Sequence, residues 1–168
     1  ERAFAEGRPA DLDAKTTLHQ HALGGALKLM SSEQLAAFDV GQAPASQRSA
    51  YGDTRFGRGC LAALRLIERG VRFVQLFMSG QPWDTHSKNA ESLKGLCQRT
   101  DQPSAALVKD LKQRGLLDRT IVMWGGEFGR LPISQGTDGR DHNRHANSIW
   151  FAGGGFKKGL AYGETDDF

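Results

Sequence analysis

The hydrophobic pattern of the chain changes its period after Gly70, and this change constrains the fold more than any other feature. Residues 71–78 are mostly apolar with two polar interruptions, which predicts a β-strand. Residues 89–114 return to helical spacing, and residues 120–124 predict a second strand, buried on both faces. A strand, a long helix and a second strand form a right-handed crossover between parallel strands. The sequence therefore predicts an α/β fold with helices packed on a mainly parallel sheet.

The other elements are predicted from spacing and from turn residues. Apolar residues at helical intervals predict helices over residues 11–30, 32–38 and 56–69. Gly70 is expected to end the last of these in a left-handed conformation. Residues 148–152 predict a third strand, which follows a long loop rich in glycine and aspartate.

Length and composition predict one ordinary globular domain. The chain has 168 residues, of which 39% are hydrophobic and 24% are charged. Three strands are few for a parallel sheet, so we expect residues 1–168 to be a single domain that is a truncated piece of a larger one. We expect a helical segment and loop over residues 1–55, and an α/β core that carries the site loops over residues 56–168.

Charge and cysteine content exclude several classes of partner. The net charge is only +3, with basic residues scattered among acidic ones, which argues against a nucleic-acid partner. No apolar run approaches the roughly 20 residues that a membrane span needs, so none is expected. Cys60 and Cys97 lie far apart in helical patterns, which predicts small buried side chains rather than a disulfide framework or a zinc motif.

Carboxylates and imidazoles follow the predicted strands. Asp84 and His86 come after the first strand, Glu127 comes after the second, and Asp141 and His142 lie in the long loop. Because the carboxyl ends of parallel strands meet at one edge of a sheet, these side chains are expected to converge there. Oxygen and nitrogen ligands together predict a divalent metal site.

Each of these residues also has a simpler interpretation. Asp84 would stabilise the helix that follows it, and the long loop would be a flexible, solvated connection. Arg130 offers a planar fork for a phosphate or sulfate group, but a surface salt bridge is about as consistent with the sequence. His142 is a candidate ligand or acid–base group, and His145 is a weaker one. The sequence has neither a P-loop nor a dinucleotide-binding motif.

A series of short motifs occurs in order between residues 56 and 168. They are FGR (56–58), ERGVRFVQ (68–75), WDTH (83–86), TDQP (100–103), LKQRGLL (111–117), WGGEFGR (124–130), GRDH (139–142) and AGGG (152–155). Together they closely resemble the bacterial sulfatase-like family called domain of unknown function 1501. So many matches in order are highly specific, and they cover about two-thirds of the chain.

The resemblance implies a place in the alkaline phosphatase and sulfatase superfamily. It implies a three-layer α/β/α fold that is alkaline-phosphatase-like, and a metal-dependent hydrolase of phosphate or sulfate esters. By that pattern Asp84, His86 and His142 would hold one metal, and Glu127 would begin the pair that holds a second. The resemblance also suggests export to the periplasm or the extracellular space.

The sequence departs from the superfamily pattern in two places. Glu127-Phe128 stands where an Asp-His pair is usual, so one imidazole ligand is missing. Neither Cys60 nor Cys97 lies in the Cys-x-Pro-x-Arg motif that supplies the nucleophile of a sulfatase. The nucleophile of the superfamily lies upstream, near a first strand that this chain does not contain.

The leading hypothesis is a metal-dependent hydrolase whose substrate is a small-molecule or glycan ester of sulfate or phosphate. The residues expected to bind one or two divalent cations are Asp84, His86, Glu127, Asp141 and His142. Zn or Mn suits this ligand set better than Ca or Mg. Arg130 and Arg140 would stabilise charge on the anion, with His145 as a further catalytic candidate.

Two alternatives stay open. The first is a non-catalytic protein that binds an anion or a glycan on the same fold, and the Glu127-Phe128 departure motivates it. The second and weaker one is an oxidoreductase. We expect this chain to be inactive as an enzyme by itself.

Overall fold

The computed structural model describes residues 18–30 and 33–164. Its four α-helices are α1 (Leu18–Met30), α2 (Ala45–Tyr51), α3 (Arg55–Glu68) and α4 (Asn89–Gln113). Short 3₁₀-helices lie at Glu33–Ala37, Val40–Gln42 and Leu117–Arg119. The four strands are short, and they are β1 (Ile121–Trp124), β2 (Gly129–Arg130), β3 (His142–Asn143) and β4 (Trp150–Gly153).

Helix α3 shows how local sequence sets an element. The Thr54 side chain caps its first turn by accepting a hydrogen bond from the backbone N–H of Gly57 at 2.9 Å. Cys60, Leu61 and Leu64 then recur on one face and are buried. Gly70 follows the helix with a φ of +82°, so the predicted left-handed ending is confirmed.

The hydrophobic core lies between helices α2, α3 and α4. Its fully buried side chains include Tyr51, Leu61, Leu64 and Leu111. The Tyr51 hydroxyl donates a hydrogen bond to Asp110 on α4 at 3.1 Å, which ties α2 to α4. Helix-to-helix packing, rather than packing on a sheet, therefore holds this part of the chain together.

The strands form two separate antiparallel pairs. Strand β1 pairs with β4, with Ile121 opposite Gly153 and Trp124 opposite Trp150. Strand β2 pairs with β3, with Gly129 opposite Asn143 and Arg130 opposite His142. Within the described ranges no two strands pair in parallel.

The predicted three-layer α/β/α fold with a mainly parallel, alkaline-phosphatase-like sheet is therefore wrong for this structure. Residues 71–78 take no regular secondary structure, and both Phe73 and Phe77 are 79% exposed. A strand is stabilised by hydrogen bonds to a neighbouring strand, and this segment has no partner strand among the described residues. Strand β1 is mostly exposed instead of buried on both faces.

The helix predictions agree with the structure more closely than the strand predictions do. Helix α3 and helix α4 match the ranges predicted for them within one residue at each end. Residues 11–17 of the first predicted helix lie outside the described residues, and its remainder is helix α1. The second predicted helix contains a 3₁₀ turn, Glu33–Ala37. No helix in the described part of the chain is both long and apolar enough to cross a membrane.

Candidate metal centre

The β2–β3 ladder and the segment before α4 meet to form the site. The ladder places Arg130 opposite His142. Two backbone hydrogen bonds then fasten the loop before β3 to the segment that carries Asp84 and His86. The Arg140 N–H donates to the Thr85 carbonyl oxygen at 2.8 Å, and the Asn89 N–H donates to the Asp138 carbonyl oxygen at 3.0 Å. Residues about fifty positions apart are thus held side by side.

Gly139 permits this close approach of two backbones. A Cβ atom at position 139 would lie 1.9 Å from the carbonyl oxygen of His86 and 2.8 Å from the backbone nitrogen of Ser87. Non-bonded atoms cannot come that close, so any side chain here would push the loop away from His86. A glycine in the loop is therefore a requirement of the site geometry.

Three donor atoms converge at the centre of the site. The Asp84 Oδ1 atom lies 3.1 Å from His86 Nε2 and 2.9 Å from His142 Nε2, and the two imidazole nitrogens are 3.2 Å apart. Ligands about 2.0–2.2 Å from a tetrahedral ion lie about 3.3–3.6 Å from one another. A small opening of the cluster would accommodate such an ion.

The three side chains differ in exposure. Asp84 is partly buried, whereas His86 and His142 are exposed. A fourth ligand could therefore reach a bound ion from solvent. Metal sites that act in catalysis keep such an open position, while structural sites are closed by protein ligands.

Asp141 supports His86 from the other side of its ring. The second ring nitrogen of His86, Nδ1, lies 3.1 Å from Asp141 Oδ1. The other oxygen of Asp141 accepts the backbone N–H of Gln135 at 2.7 Å. These two hydrogen bonds, that of Gln135 first, lower the pKa of the Asp141 carboxyl below its usual range. A carboxylate behind a ligating histidine fixes the orientation of the ring and raises its basicity.

His142 and Arg130 together keep Asp84 ionised. The Nη1 atom of Arg130 donates to Asp84 Oδ1 at 2.5 Å, while Nη2 lies 3.4 Å from Glu127 Oε1. Hydrogen bonds from His142 and from Arg130 lower the pKa of Asp84 to about 2. Asp84 therefore carries its negative charge at neutral pH, as a metal ligand must.

A comparison with protein families gives one result. The model of the family described as "Protein of unknown function (DUF1501)" matches residues 1–168. The chain belongs to the DUF1501 family. No curated protein and no solved structure matches it. The family match includes the N-terminal residues, which the motifs from 56 to 168 left out.

The remaining predicted site residues of this DUF1501 chain lie outside the three-donor cluster. Glu127 is exposed and reaches Arg130 rather than the cluster. The Arg140 guanidinium donates to the Gly139 carbonyl oxygen at 2.7 Å. The His145 ring accepts a hydrogen bond from Arg144 at 3.2 Å. Asp141 contacts a cluster residue without belonging to the cluster itself.

Phe128 and Gln135 contribute to the site, although sequence reasoning gave neither of them a role. The Phe128 ring packs against His142 with 4.6 Å between ring centres, and Arg130 lies over the same ring at 5.4 Å. Glu127-Phe128 was identified in the sequence as a departure from the pattern that the resemblance implies, and this was the available signal for Phe128. Gln135 acts through its backbone N–H, which no side-chain pattern could reveal.

Proposed function

We propose that this DUF1501 chain binds one divalent transition metal through Asp84, His86 and His142, and that the centre serves hydrolysis of a sulfate or phosphate ester. The observation that carries the proposal is the convergence of three donor atoms from two segments, the one before α4 and strand β3, that lie more than fifty residues apart. Two imidazoles and one carboxylate suit Zn²⁺ or Mn²⁺ better than Mg²⁺ or Ca²⁺. The exposed position beside the cluster leaves room for a substrate oxygen.

The neighbouring residues have separate roles in this proposal. A bound metal would supply Lewis acidity toward an ester oxygen. Asp141 orients His86 through its Nδ1 hydrogen. Arg130, whose guanidinium contacts Asp84 and Glu127, would supply positive charge for a sulfate or phosphate group. The sequence has no Cys-x-Pro-x-Arg motif, so no side chain is named as the nucleophile.

The first test is metal content. Wild-type protein, dialysed and then measured by elemental mass spectrometry, is expected to retain about one Zn or Mn per chain, because the described residues contain one cluster of three protein ligands. Asp84→Asn and His142→Ala are expected to lose it. His145→Ala is the matched control, since it removes an imidazole from the same loop outside the cluster.

Full metal occupancy in both ligand variants would overturn the proposed site. Where the metal result is positive, the wild type is tested with p-nitrophenyl sulfate and p-nitrophenyl phosphate. Release of nitrophenol that depends on the metal and falls in Arg130→Ala would support hydrolysis and would overturn the expectation that this chain is inactive by itself. Metal binding without turnover of either ester would reject hydrolysis of these esters by the chain.

A second candidate function is binding of an anion or a glycan without catalysis. The Phe128 side chain favours it, because a phenyl ring that packs on His142 cannot act as the imidazole ligand of a second metal. The absence of turnover together with retained binding of a sulfate or phosphate ester would identify this function.

A further inference from the structure

A pocket lined by tryptophans includes a residue that adjoins the candidate metal centre in the chain. Its volume is about 190 Å³, and its lining includes Trp83, Trp124 and Trp150, which are all the tryptophans of the chain. Trp83 directly precedes the cluster residue Asp84, and Trp124 ends the strand that leads to Glu127 and Arg130. We call this cavity the tryptophan pocket. Trp83 connects this pocket to the candidate metal centre along the chain.

The aromatic rings of the pocket are accessible. Trp124 and Trp150 lie opposite one another on β1 and β4, where directly paired side chains share one face of the ladder. They are 38% and 41% exposed. The ring of Trp83 meets that of Trp124 at 89°, with 5.6 Å between ring centres. The indoles therefore form a corner with apolar surface left open to a ligand.

Helix α4 supplies the polar wall of the pocket. Asp101 and Ser104 line it and are three residues apart, so they lie on the same side of the helix. The Thr100 hydroxyl donates to the Leu96 carbonyl oxygen at 3.0 Å and is already engaged. The lining thus combines a carboxylate and a hydroxyl with the apolar surface of the indoles.

We propose that the tryptophan pocket binds a single pyranose ring, so that the ester substrate is a sulfated or phosphorylated sugar. This inference rests on the proposed function for the ester group, but the sugar site itself does not need the metal. A pyranose has an apolar face that can stack on an indole and a rim of hydroxyls that need hydrogen-bond partners. Amphipathic aromatic surface with a few polar groups is what such a ligand requires.

The size of the pocket limits the ligand to one ring. Pockets that enclose drug-sized molecules measure about 300–1,000 Å³, and this one is smaller. The edge-to-face contact of Trp83 with Trp124 also argues against a quaternary ammonium ligand. Such a cation is held by several open ring faces around one point, whereas here one of those faces is used by its neighbour.

Intrinsic fluorescence tests the proposal directly, because every tryptophan of the chain lines the pocket. Metal-free protein is titrated with the methyl glycosides of glucose, galactose and N-acetylglucosamine, and separately with choline chloride. A saturable change with at least one glycoside is expected. Asp101→Asn should weaken that binding roughly tenfold or more, since it removes a charged hydrogen-bond partner.

Asp118→Asn is the matched control, since Asp118 is an exposed carboxylate that does not line the pocket. No response to the three glycosides, or a response that Asp101→Asn leaves unchanged, would overturn the proposal. A saturable response to choline alone would also overturn the proposal, because it would show that the pocket binds a cation.

The two cysteines provide a second readout. Cys97 lines the pocket, whereas Cys60 is buried in the core, where burial raises the pKa of its thiol to about 12. Iodoacetamide at pH 8 should therefore alkylate Cys97 and spare Cys60. A saturating glycoside should slow the reaction of Cys97 at least severalfold. An unchanged rate at a concentration that saturates the fluorescence change would contradict binding in this pocket.

Failure of this inference can be separated from failure of the proposed function. Glycoside binding with no metal binding in any condition would leave the pocket as a sugar site and remove the metal centre. Metal-dependent ester hydrolysis with no glycoside binding would keep the centre and reject a sugar as the substrate class.

Discussion

Asp84 and Asp141 are both loop carboxylates in contact with imidazoles, but their contacts give them different roles. One oxygen atom of Asp84 faces the Nε2 atoms of His86 and His142. Asp141 faces the Nδ1 atom of His86, and its other oxygen accepts a hydrogen bond from the backbone N–H of Gln135. The sequence predicted a ligand role for both. The geometry separates a ligand candidate from a residue that positions a ligand.

Replacement of Asp141 should therefore weaken metal binding without abolishing it. Asp141→Asn is expected to lower the affinity roughly 10–100-fold, which is the usual effect of losing a partner behind a ligating histidine. Competition with a chromogenic chelator for Zn²⁺ measures this. Asp138→Asn is the control, because Asp138 joins the site through its backbone carbonyl only. Complete loss of Zn²⁺ binding in Asp141→Asn, as expected for Asp84→Asn, would identify Asp141 as a metal ligand.

At the scale of elements, the loop from residue 137 to residue 141 decides whether the site forms. Its backbone contacts with Thr85 and Asn89 hold it against the segment before α4. Gly139 lies at the closest point of that contact. Pairing of β2 with β3 then brings Arg130 opposite His142. The site depends on this pair of strands and this loop more than on any helix.

Gly139→Ala should consequently disrupt the metal centre. The added methyl group would overlap the His86 carbonyl oxygen, so the loop must move and the affinity for Zn²⁺ should fall roughly tenfold or more. Gly136→Ala is a matched control, because its Cβ would lie 3.5 Å from the same oxygen, which is an ordinary contact. Equal affinities of the two variants would show that the loop is not held as described.

Residues 71–78 show why the sheet was not predictable from pattern alone. The apolar content of the segment was the reason for predicting a strand, yet it takes no regular structure and exposes Phe73 and Phe77. Apolar content predicts that a segment will be buried. It does not by itself predict a strand, because a strand also requires hydrogen bonds to a neighbouring backbone. Strands β1 and β4 were located well by sequence, and only their pairing reveals the antiparallel direction.

At the scale of the whole molecule, the stabilising core and the candidate metal centre lie in different parts of the chain. Helices α2, α3 and α4 contain most of the large side chains that are fully buried. The candidate metal centre is built from loops and from two-residue strands. Burial of a Leu side chain contributes about 1.5–3 kcal/mol, whereas an exposed polar loop contributes little to the free energy of unfolding.

Leu64→Ala should accordingly destabilise the fold by about 2–5 kcal/mol, because Leu64 is fully buried between helices. Leu160→Ala should change the free energy of unfolding by less than about 0.5 kcal/mol, since Leu160 is 58% exposed. Urea unfolding followed by circular dichroism measures both. Equal effects of the two substitutions would place the stabilising core elsewhere.

The sequence by itself determined the helices α3 and α4, the glycine that ends α3, and the chemical types of the site residues. These depend on neighbours within a few positions, through helical spacing, caps and backbone sterics. The family resemblance already predicted that Asp84, His86 and His142 belong together. Only the tertiary structure decided that Asp141 stands behind His86, that Glu127 turns to Arg130, and that the strands run antiparallel. Contacts between residues more than fifty positions apart depend on strand pairing and on backbone approach at Gly139, and local spacing does not encode either.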